Sequence, residues 1–320
     1  MHVVITGGAG FIGSHLAEEL LARGDSVTAV DDLSTGSLDN VAHLRGNPAF
    51  HLVIENVTHE NVLDHVVRGA GAVCHLAAAV GVKLIVDDPV RTIETNILGT
   101  EVVLKVAARY GVRVFVASSS EVYGKGDAVP FSEDSDMVFG STTHSRWCYA
   151  CSKAIDEFLA LAYCRQRRLP VVIGRFFNTV GPRQTGRYGM VIPRFVQQAL
   201  RGDRITVYGD GEQVRCFCHV KDVIRAVSAL MSEPGADGGI FNIGSDQQTS
   251  INRLAERVKA ITGSASDIVR IPYEEAYEAG FEDMRIRVPD VSRAAELVGF
   301  QVTRNIDEII EDVAAYFRRR

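Results

Sequence analysis

The stretch Met1 to Ser14, MHVVITGGAGFIGS, limits the possible folds more than any other part of the chain. Val3, Val4 and Ile5 form a short apolar run that predicts a buried strand. Gly7, Gly10 and Gly13 follow at a spacing of three, and Leu16, Leu20 and Leu21 then open a helical pattern. Strand, glycine turn and helix in this order make a dinucleotide site the expectation. One glycine lets the chain leave the strand sharply, one lets backbone N–H groups approach a pyrophosphate, and one lets helix and strand pack closely. The helix N-terminus then presents its partial positive charge to the phosphates.

The alternation continues. Strands are predicted over His2–Thr6, Ser26–Asp31, Phe50–Glu55, Ala72–Leu76, Val112–Ser118 and Pro170–Arg175. Helices are predicted over Ser14–Arg23, Glu60–Val67, Arg91–Tyr110 and Trp147–Arg168. Such alternation implies a doubly wound parallel sheet covered on both faces. After about residue 178 the pattern loosens at Gly181-Pro182, Tyr188-Gly189 and Gly209-Asp210-Gly211. A helix (Val220–Met231), a strand (Ile240–Ile243), a helix (Ile251–Ile261) and a terminal amphipathic helix (Ile306–Arg320) follow. No linker is evident, so a second lobe is expected to grow from loops at the carboxyl ends of the strands, where open α/β sheets bind ligands.

Asp31 ends the second predicted strand about 20 residues after the glycines, where a carboxylate bonds the ribose hydroxyls and repels a 2′-phosphate. Asp32-Leu33-Ser34-Thr35-Gly36 contains no Arg or Lys, so NAD is expected rather than NADP. A net charge of −6 argues against a nucleic-acid partner. The apolar runs, such as Val112–Ala117, are too short to span a bilayer, and no leader pattern precedes the first strand, so a cytoplasmic location is expected. Cys148 and Cys151 with Cys216 and Cys218 could be drawn as a four-thiolate zinc site, but free thiols and no metal are the expectation for such a chain. A closed metal site would also block Tyr149.

Tyr149 and Lys153 stand four apart on a predicted helix, on one face and roughly 6 Å apart along its axis. A lysine ammonium, helped by a nicotinamide, is expected to lower the phenol pKa toward neutrality and make Tyr149 a general base. Ser118, Ser119, Ser120 and Glu121 follow a strand directly, so their side chains belong at its carboxyl end.

TGGAGFIG, Asp31, HLAA at His75–Ala78, SSSEVYG at Ser118–Gly124, Tyr149-x-x-x-Lys153, RFFNTVGPR at Arg175–Arg183 and VYGDGEQVRCFCHVKDV at Val207–Val223 resemble the extended short-chain dehydrogenases that act on nucleotide sugars. The resemblance runs through nearly the whole chain in order. It implies a Rossmann-type doubly wound sheet with a smaller α/β C-terminal substrate lobe. The NAD-binding part would comprise residues 1–177 plus about 214–244, and the nucleotide-sugar lobe about 178–213 plus 245–320. Ser119, Tyr149 and Lys153 would be catalytic, with Ser120 and Glu121 beside them. NAD would be lined by Gly7, Gly10, Phe11, Ile12, Gly13, Asp31, Asp32, Ser34, Thr35 and Gly36. Asn56 and Val57 stand where the family usually has an aspartate at the adenine. Leu76, Ala77, Ala78, Asn96, Ser118, Phe176 and Val180 would complete the cofactor site together with Tyr149 and Lys153. The sugar nucleotide would meet Ser119, Ser120 and Val191. Asn178 and Arg215 would hold its diphosphate, and Thr206 and Tyr208 its uridine.

In the family that the chain resembles, dehydratases and UDP-glucuronate decarboxylases carry an acid at the place of Glu121, which keeps a decarboxylase open. The dehydratase pattern has an aspartate where this chain has Ser120, which speaks against a dehydratase. Gly186-Arg187-Tyr188-Gly189-Met190 resembles a run of UDP-glucuronate 4-epimerases, in which Arg187 would hold the sugar carboxylate through two parallel hydrogen bonds. The expectation is therefore a UDP-glucuronate 4-epimerase forming UDP-galacturonate, with UDP-glucuronate decarboxylase and UDP-glucose 4-epimerase as alternatives. A non-enzymatic NAD sensor is a remote one, since such proteins usually lack the Tyr-Lys pair. The family's usual homodimer would pair the helices Arg91–Tyr110 and Trp147–Arg168 across a two-fold axis.

Overall fold

The computed structural model describes residues 1–81, 88–186, 190–276 and 284–320. Seven strands form one parallel sheet: β1 (His2–Thr6), β2 (Ser26–Asp31), β3 (Phe50–Ile54), β4 (Ala72–His75), β5 (Arg113–Ser119), β6 (Val171–Phe176) and the strand Ile240–Ile243. The spatial order is Ile240–Ile243, β6, β5, β4, β1, β2, β3. From β1 the chain winds outward through β2 and β3, then returns to place β4 on the other side of β1. The winding reverses between β1 and β4, where Thr6 pairs in register with His75. A ligand crevice opens at such a reversal, beyond the carboxyl ends of the strands.

The strands are apolar on both sides because helices cover both faces. On one face, helices Phe11–Ala22 and Val220–Ser232 bury Leu16, Leu20, Val223, Val227 and Leu230. On the other, helices Glu60–Val67, Pro89–Tyr110 and Trp147–Arg167 bury Leu63, Val103, Leu104 and Ala160. A separate core joins helices Val191–Arg201, Ile251–Thr262 and Ile306–Arg318 through Phe195, Leu254, Ile309 and Ile310. The last helix opens on a capping box, with Asn305 and Glu308 satisfying each other's backbone N–H groups.

The first helix begins three residues before the expected Ser14, with Gly10 as its N-cap. Phe11, Ile12 and Gly13 form its first turn, which a pattern keyed to leucines does not register. The short strands Ile205–Tyr208, Val214–Cys216, Gln248–Ser250, Ile268–Ile271 and Ile286–Arg287 also lie outside the sequence expectation. Each has two to four residues, too few to show a period. Val214–Cys216 lies between Gln248–Ser250 and Ile286–Arg287, and this small sheet faces the main crevice.

Candidate active site

The glycine turn sits at the sheet's reversal point. Gly7 has φ +71°, and a Cβ on it would lie 2.9 Å from the Ala77 nitrogen. A Cβ on Gly13 would lie 2.2 Å from the Gly7 carbonyl oxygen, so only glycine lets the helix start this close to the turn. The first helical turn carries no acidic side chain, which keeps its N–H groups open to an anion. Asp31 is buried at the end of β2 and accepts from the N–H groups of Ala9 (2.9 Å) and Leu33 (2.8 Å). Burial pushes its carboxyl pKa up against those two hydrogen bonds. The glycine cradle, the open helix start and the carboxylate beyond β2 fit a dinucleotide.

One cleft is lined by Gly7, Gly10, Phe11, Ile12, Gly13, Asp31, Asp32, Ser34, Thr35, Asn56, Val57, Leu76, Ala77 and Ala78 at one end. Ser118, Ser119, Ser120, Glu121, Tyr149, Lys153, Phe176, Asn178 and Val180 follow, and Val191, Tyr208 and Arg215 line the other end. Thr6 ties the turn to β4, since its hydroxyl meets His75 Nδ1 at 2.7 Å and accepts from the Ala77 N–H at 3.3 Å. Asn56 donates to Asp32 at 3.0 Å and accepts from Thr58.

Three expected site residues do not line the cleft. Asn96 is fully buried and clamps Ala79, accepting from its N–H at 2.8 Å and donating to its carbonyl, with a further bond to Ser152. It shapes the segment after β4 instead of facing a ligand. Gly36 stands behind Asp31, where a Cβ would lie 2.7 Å from the carboxylate. Thr206 is paired through both hydroxyl and N–H with Gln198, since its place on its strand turns it toward helix Val191–Arg201. Arg187 lies outside the described residues.

Ser119 ends β5 and Tyr149 occupies the first turn of helix Trp147–Arg167, where the two side chains are hydrogen-bonded. Ser119 Oγ also accepts from the Glu121 N–H at 3.2 Å, which fixes its rotamer. The expected lowering of the Tyr149 pKa is not what the protein alone provides. Burial pushes the phenol well above its ordinary value, the Ser119 hydrogen bond opposes this, and Glu121 and Asp156 add to the rise. Lys153 lies one turn later and is 2% exposed, but its ammonium donates to Asp156 at 3.1 Å, which offsets its charge.

Glu121 stands at the centre of a charge cluster. Its carboxylate accepts from Arg287 and, at 3.3 Å, from Arg146. Burial opposes its charge, but Arg146, Arg287 and Arg215 together outweigh that and hold its pKa at about 2. Arg287 also donates to Asn178 Oδ1 at 2.9 Å, and Asn178 donates to the Cys216 carbonyl at 2.9 Å. Arg215 and Arg287 are paired in register on adjacent parallel strands, so two guanidiniums border the cleft side by side. Farther out, the Arg194 guanidinium stacks 3.9 Å above the Tyr208 ring, and Gln213 bridges the Tyr208 carbonyl and the Tyr273 hydroxyl. Sequence reasoning missed Arg146, Gln184, Arg194, Gln213, Tyr273 and Arg287, all of which line the cleft. Arg287 sits in a two-residue strand far along the chain, and only folding brings it to Glu121.

The six cysteines are free thiols. Among the described residues no cluster of His, Cys, Asp and Glu is placed to hold a metal ion, and no helix is long and apolar enough to cross a membrane.

A glycine turn at the reversal of a parallel sheet, with a tyrosine and a lysine on the same cleft, defines a dinucleotide-binding α/β enzyme of the Rossmann type. Residues 3–244 match the NAD dependent epimerase/dehydratase family. The chain is 43% identical to the UDP-N-acetyl-alpha-D-glucosaminuronate decarboxylase of Bacillus cytotoxicus, over 98% of this chain and 97% of that one. It is 34% identical to UDP-glucuronic acid decarboxylase 1 of Xenopus tropicalis, over 99% of this chain and 72% of that protein. Among solved structures, the UDP-glucuronic acid 4-epimerase of Bacillus cereus, in complex with UDP-glucuronic acid and NAD, superimposes with a TM-score of 0.90 at 27% identity, covering 100% of this chain and 99% of that one. The UDP-glucose 4-epimerase of Thermotoga maritima reaches 0.89 at 31% identity, with the same coverage. The chain belongs to the NAD dependent epimerase/dehydratase family, and NAD is its dinucleotide.

Proposed function

We propose that this enzyme decarboxylates a UDP-hexuronate through transient oxidation at C4. The observation that carries this reading is Glu121, held ionised by Arg146 and Arg287 beside Tyr149. Arg287 is already engaged by Glu121 and Asn178, so it is not free to clamp a sugar carboxylate with two parallel hydrogen bonds. Glu121 takes up Arg146 and Arg287, so neither anchors the substrate carboxylate in one orientation, and its C5–C6 bond can turn into line with the C4 carbonyl. Decarboxylase relatives similar over nearly the whole chain favour the same reaction.

The glycine turn, the helix start at Phe11 and Asp31 would hold NAD, which when bound takes up the two electrons of the C4–H bond and gives them back. Tyr149 takes the proton of the 4-hydroxyl, and Ser119 steadies the oxygen. Lys153 orients Tyr149 and supplies positive charge to the tyrosinate. The 4-ketone makes the substrate a β-keto acid. The C5–C6 bond breaks, its electron pair moves into the C4 carbonyl, and carbon dioxide leaves. C5 takes up a solvent-derived proton, and Tyr149 returns its own to O4. Asn178 and Arg215 serve the diphosphate, and Tyr208 with Arg194 the nucleoside end. On this reading residues 1–177 plus about 214–244 carry the cofactor, and the remainder carries the sugar nucleotide.

The sequence expectation of 4-epimerisation rested on Arg187. Epimerisation shares each step up to the ketone, so product analysis separates the two. The enzyme with NAD is incubated with UDP-glucuronate and, separately, with UDP-N-acetylglucosaminuronate. Release of carbon dioxide with a UDP-pentose product is expected from one of them. A six-carbon acid inverted at C4, with no gas released, would refute decarboxylation.

We also infer a cytoplasmic homodimer. Val90, Ile93 and Leu98 of helix Pro89–Tyr110 are exposed, as are Ile155 and Phe158 of helix Trp147–Arg167, and the two helices pack on each other, so a second copy would have apolar side chains of both to cover. The molecular mass in solution tests this.

A further inference from the structure

Lys153 has a partner that lies outside the cleft. Asp156 follows it by three residues on the same helix, one turn along. Its Oδ2 accepts from Lys153 Nζ at 3.1 Å, and the two side chains are 0% and 2% exposed. Its Oδ1 has no hydrogen-bond partner among the described residues. Burial raises the pKa of this carboxyl and Lys153 opposes the rise by favouring its charged form, whereas an apolar residue would fill the position without any desolvation cost. Two side chains hold the carboxylate, the Lys153 ammonium and the Thr100 hydroxyl, and of these only Lys153 supplies a charge that matches its own.

We propose that Asp156 is a positioning residue that holds Lys153 in place and sets the pH at which the Tyr149–Lys153 pair releases its proton. This rests on the reading of Tyr149 as the acid–base group. The other charges facing the pair are occupied or silent. Glu121 is tied to Arg146 and Arg287, and Glu157 to Arg175. His75 faces Lys153 from β4, but burial lowers its pKa to about 3, so the ring is neutral near pH 7. Thr100, on helix Pro89–Tyr110, hydrogen-bonds Asp156 through its hydroxyl and carries no charge. Asp156 is thus the carboxylate bonded directly to the pair.

The sign of the effect does not depend on which member of the pair loses the proton. Removing one negative charge makes proton loss easier from either, so the apparent pKa of the pair falls. At a contact of this kind the fall is about one unit or more.

The test uses the full-length enzyme with NAD, mixed with UDP-glucuronate or UDP-N-acetylglucosaminuronate, whichever it turns over. The first oxidation is followed by NADH absorbance as a function of pH. Asp156→Asn keeps the shape and removes the charge. Its acid limb is expected at lower pH than in the wild type, with a reduced maximal rate, and Asp156→Glu is expected to bring the limb back. A second readout needs no substrate: the tyrosinate absorbance that wild type shows beyond Tyr149→Phe should appear at lower pH in Asp156→Asn. If Asp156→Asn does not fold, Asp156→Ser takes its place with the same expectation. A limb that stays in place or moves up, while Tyr149→Phe is inactive, overturns the role of Asp156 and leaves Tyr149 standing. Wild-type oxidation by Tyr149→Phe instead overturns the acid–base reading on which the inference rests.

Discussion

Replacing Glu157 by glutamine should be among the most damaging single changes outside the cleft. Glu157 and Arg175 are each 2% exposed and face each other through two hydrogen bonds, at 2.9 Å and 2.7 Å. Ser118 donates to the same carboxylate, and the Arg175 guanidinium lies 4.8 Å from the Tyr123 ring centre. An arginine stays protonated when buried, so Glu157→Gln leaves a full positive charge sealed in the core with neutral partners in place of a carboxylate: the glutamine's one amide oxygen, the Glu133 carbonyl and the Tyr123 ring. Breaking a buried pair in this way costs about 3–5 kcal/mol, against a whole-domain stability of about 5–15 kcal/mol. The control is the double variant Glu157→Leu with Arg175→Met, which removes both charges and should cost less than either single change. Denaturant unfolding followed by circular dichroism measures wild type, Glu157→Gln, the single variants Glu157→Leu and Arg175→Met, and the double variant. A loss below about 1 kcal/mol for Glu157→Gln, or a double variant as unstable as the sum of the singles, would refute the reasoning. Ser118 precedes Ser119, so the surviving folded fraction of Glu157→Gln should also turn over more slowly.

Gly13→Ala should weaken NAD binding at least about tenfold, because its methyl would stand 2.2 Å from the Gly7 carbonyl oxygen and push the helix start away; titration calorimetry measures this. Glu121 has its pKa depressed from 4.5 to about 2, so the stability it contributes is fully present above about pH 5 and fades as pH falls from 4.5 toward 2. The stability difference between wild type and Glu121→Gln, measured by urea unfolding at stepped pH, should shrink over that window, and a difference independent of pH would contradict the assignment.

The cofactor half of the site was legible because its physics is local. Gly7, Gly10 and Gly13 are fixed by the space available within one turn, and Asp31 ends the strand next to theirs, so strand–turn–helix spacing was enough to place them. Tyr149 and Lys153 were legible for a similar reason, since four residues on a helix define a face. Other expectations in both halves were not legible in this way. Asn96, expected at the cofactor, and Thr206, expected at the uridine, spend their polar atoms on Ala79 and Gln198, commitments that no spacing announces. Glu121 looked like an open question between reactions until folding brought Arg287 to it across 166 residues.

The sequence by itself determined the parallel sheet, the glycine cradle, the preference for NAD and the Tyr-Lys pair, because each depends on a repeat or a spacing short enough for the backbone to enforce. Only the tertiary structure decided the electrostatics. It put two arginines on Glu121, Asp156 on Lys153 and a desolvated shell around Tyr149. Charge state follows from burial and from neighbours distant in sequence, and both exist only once the chain has folded.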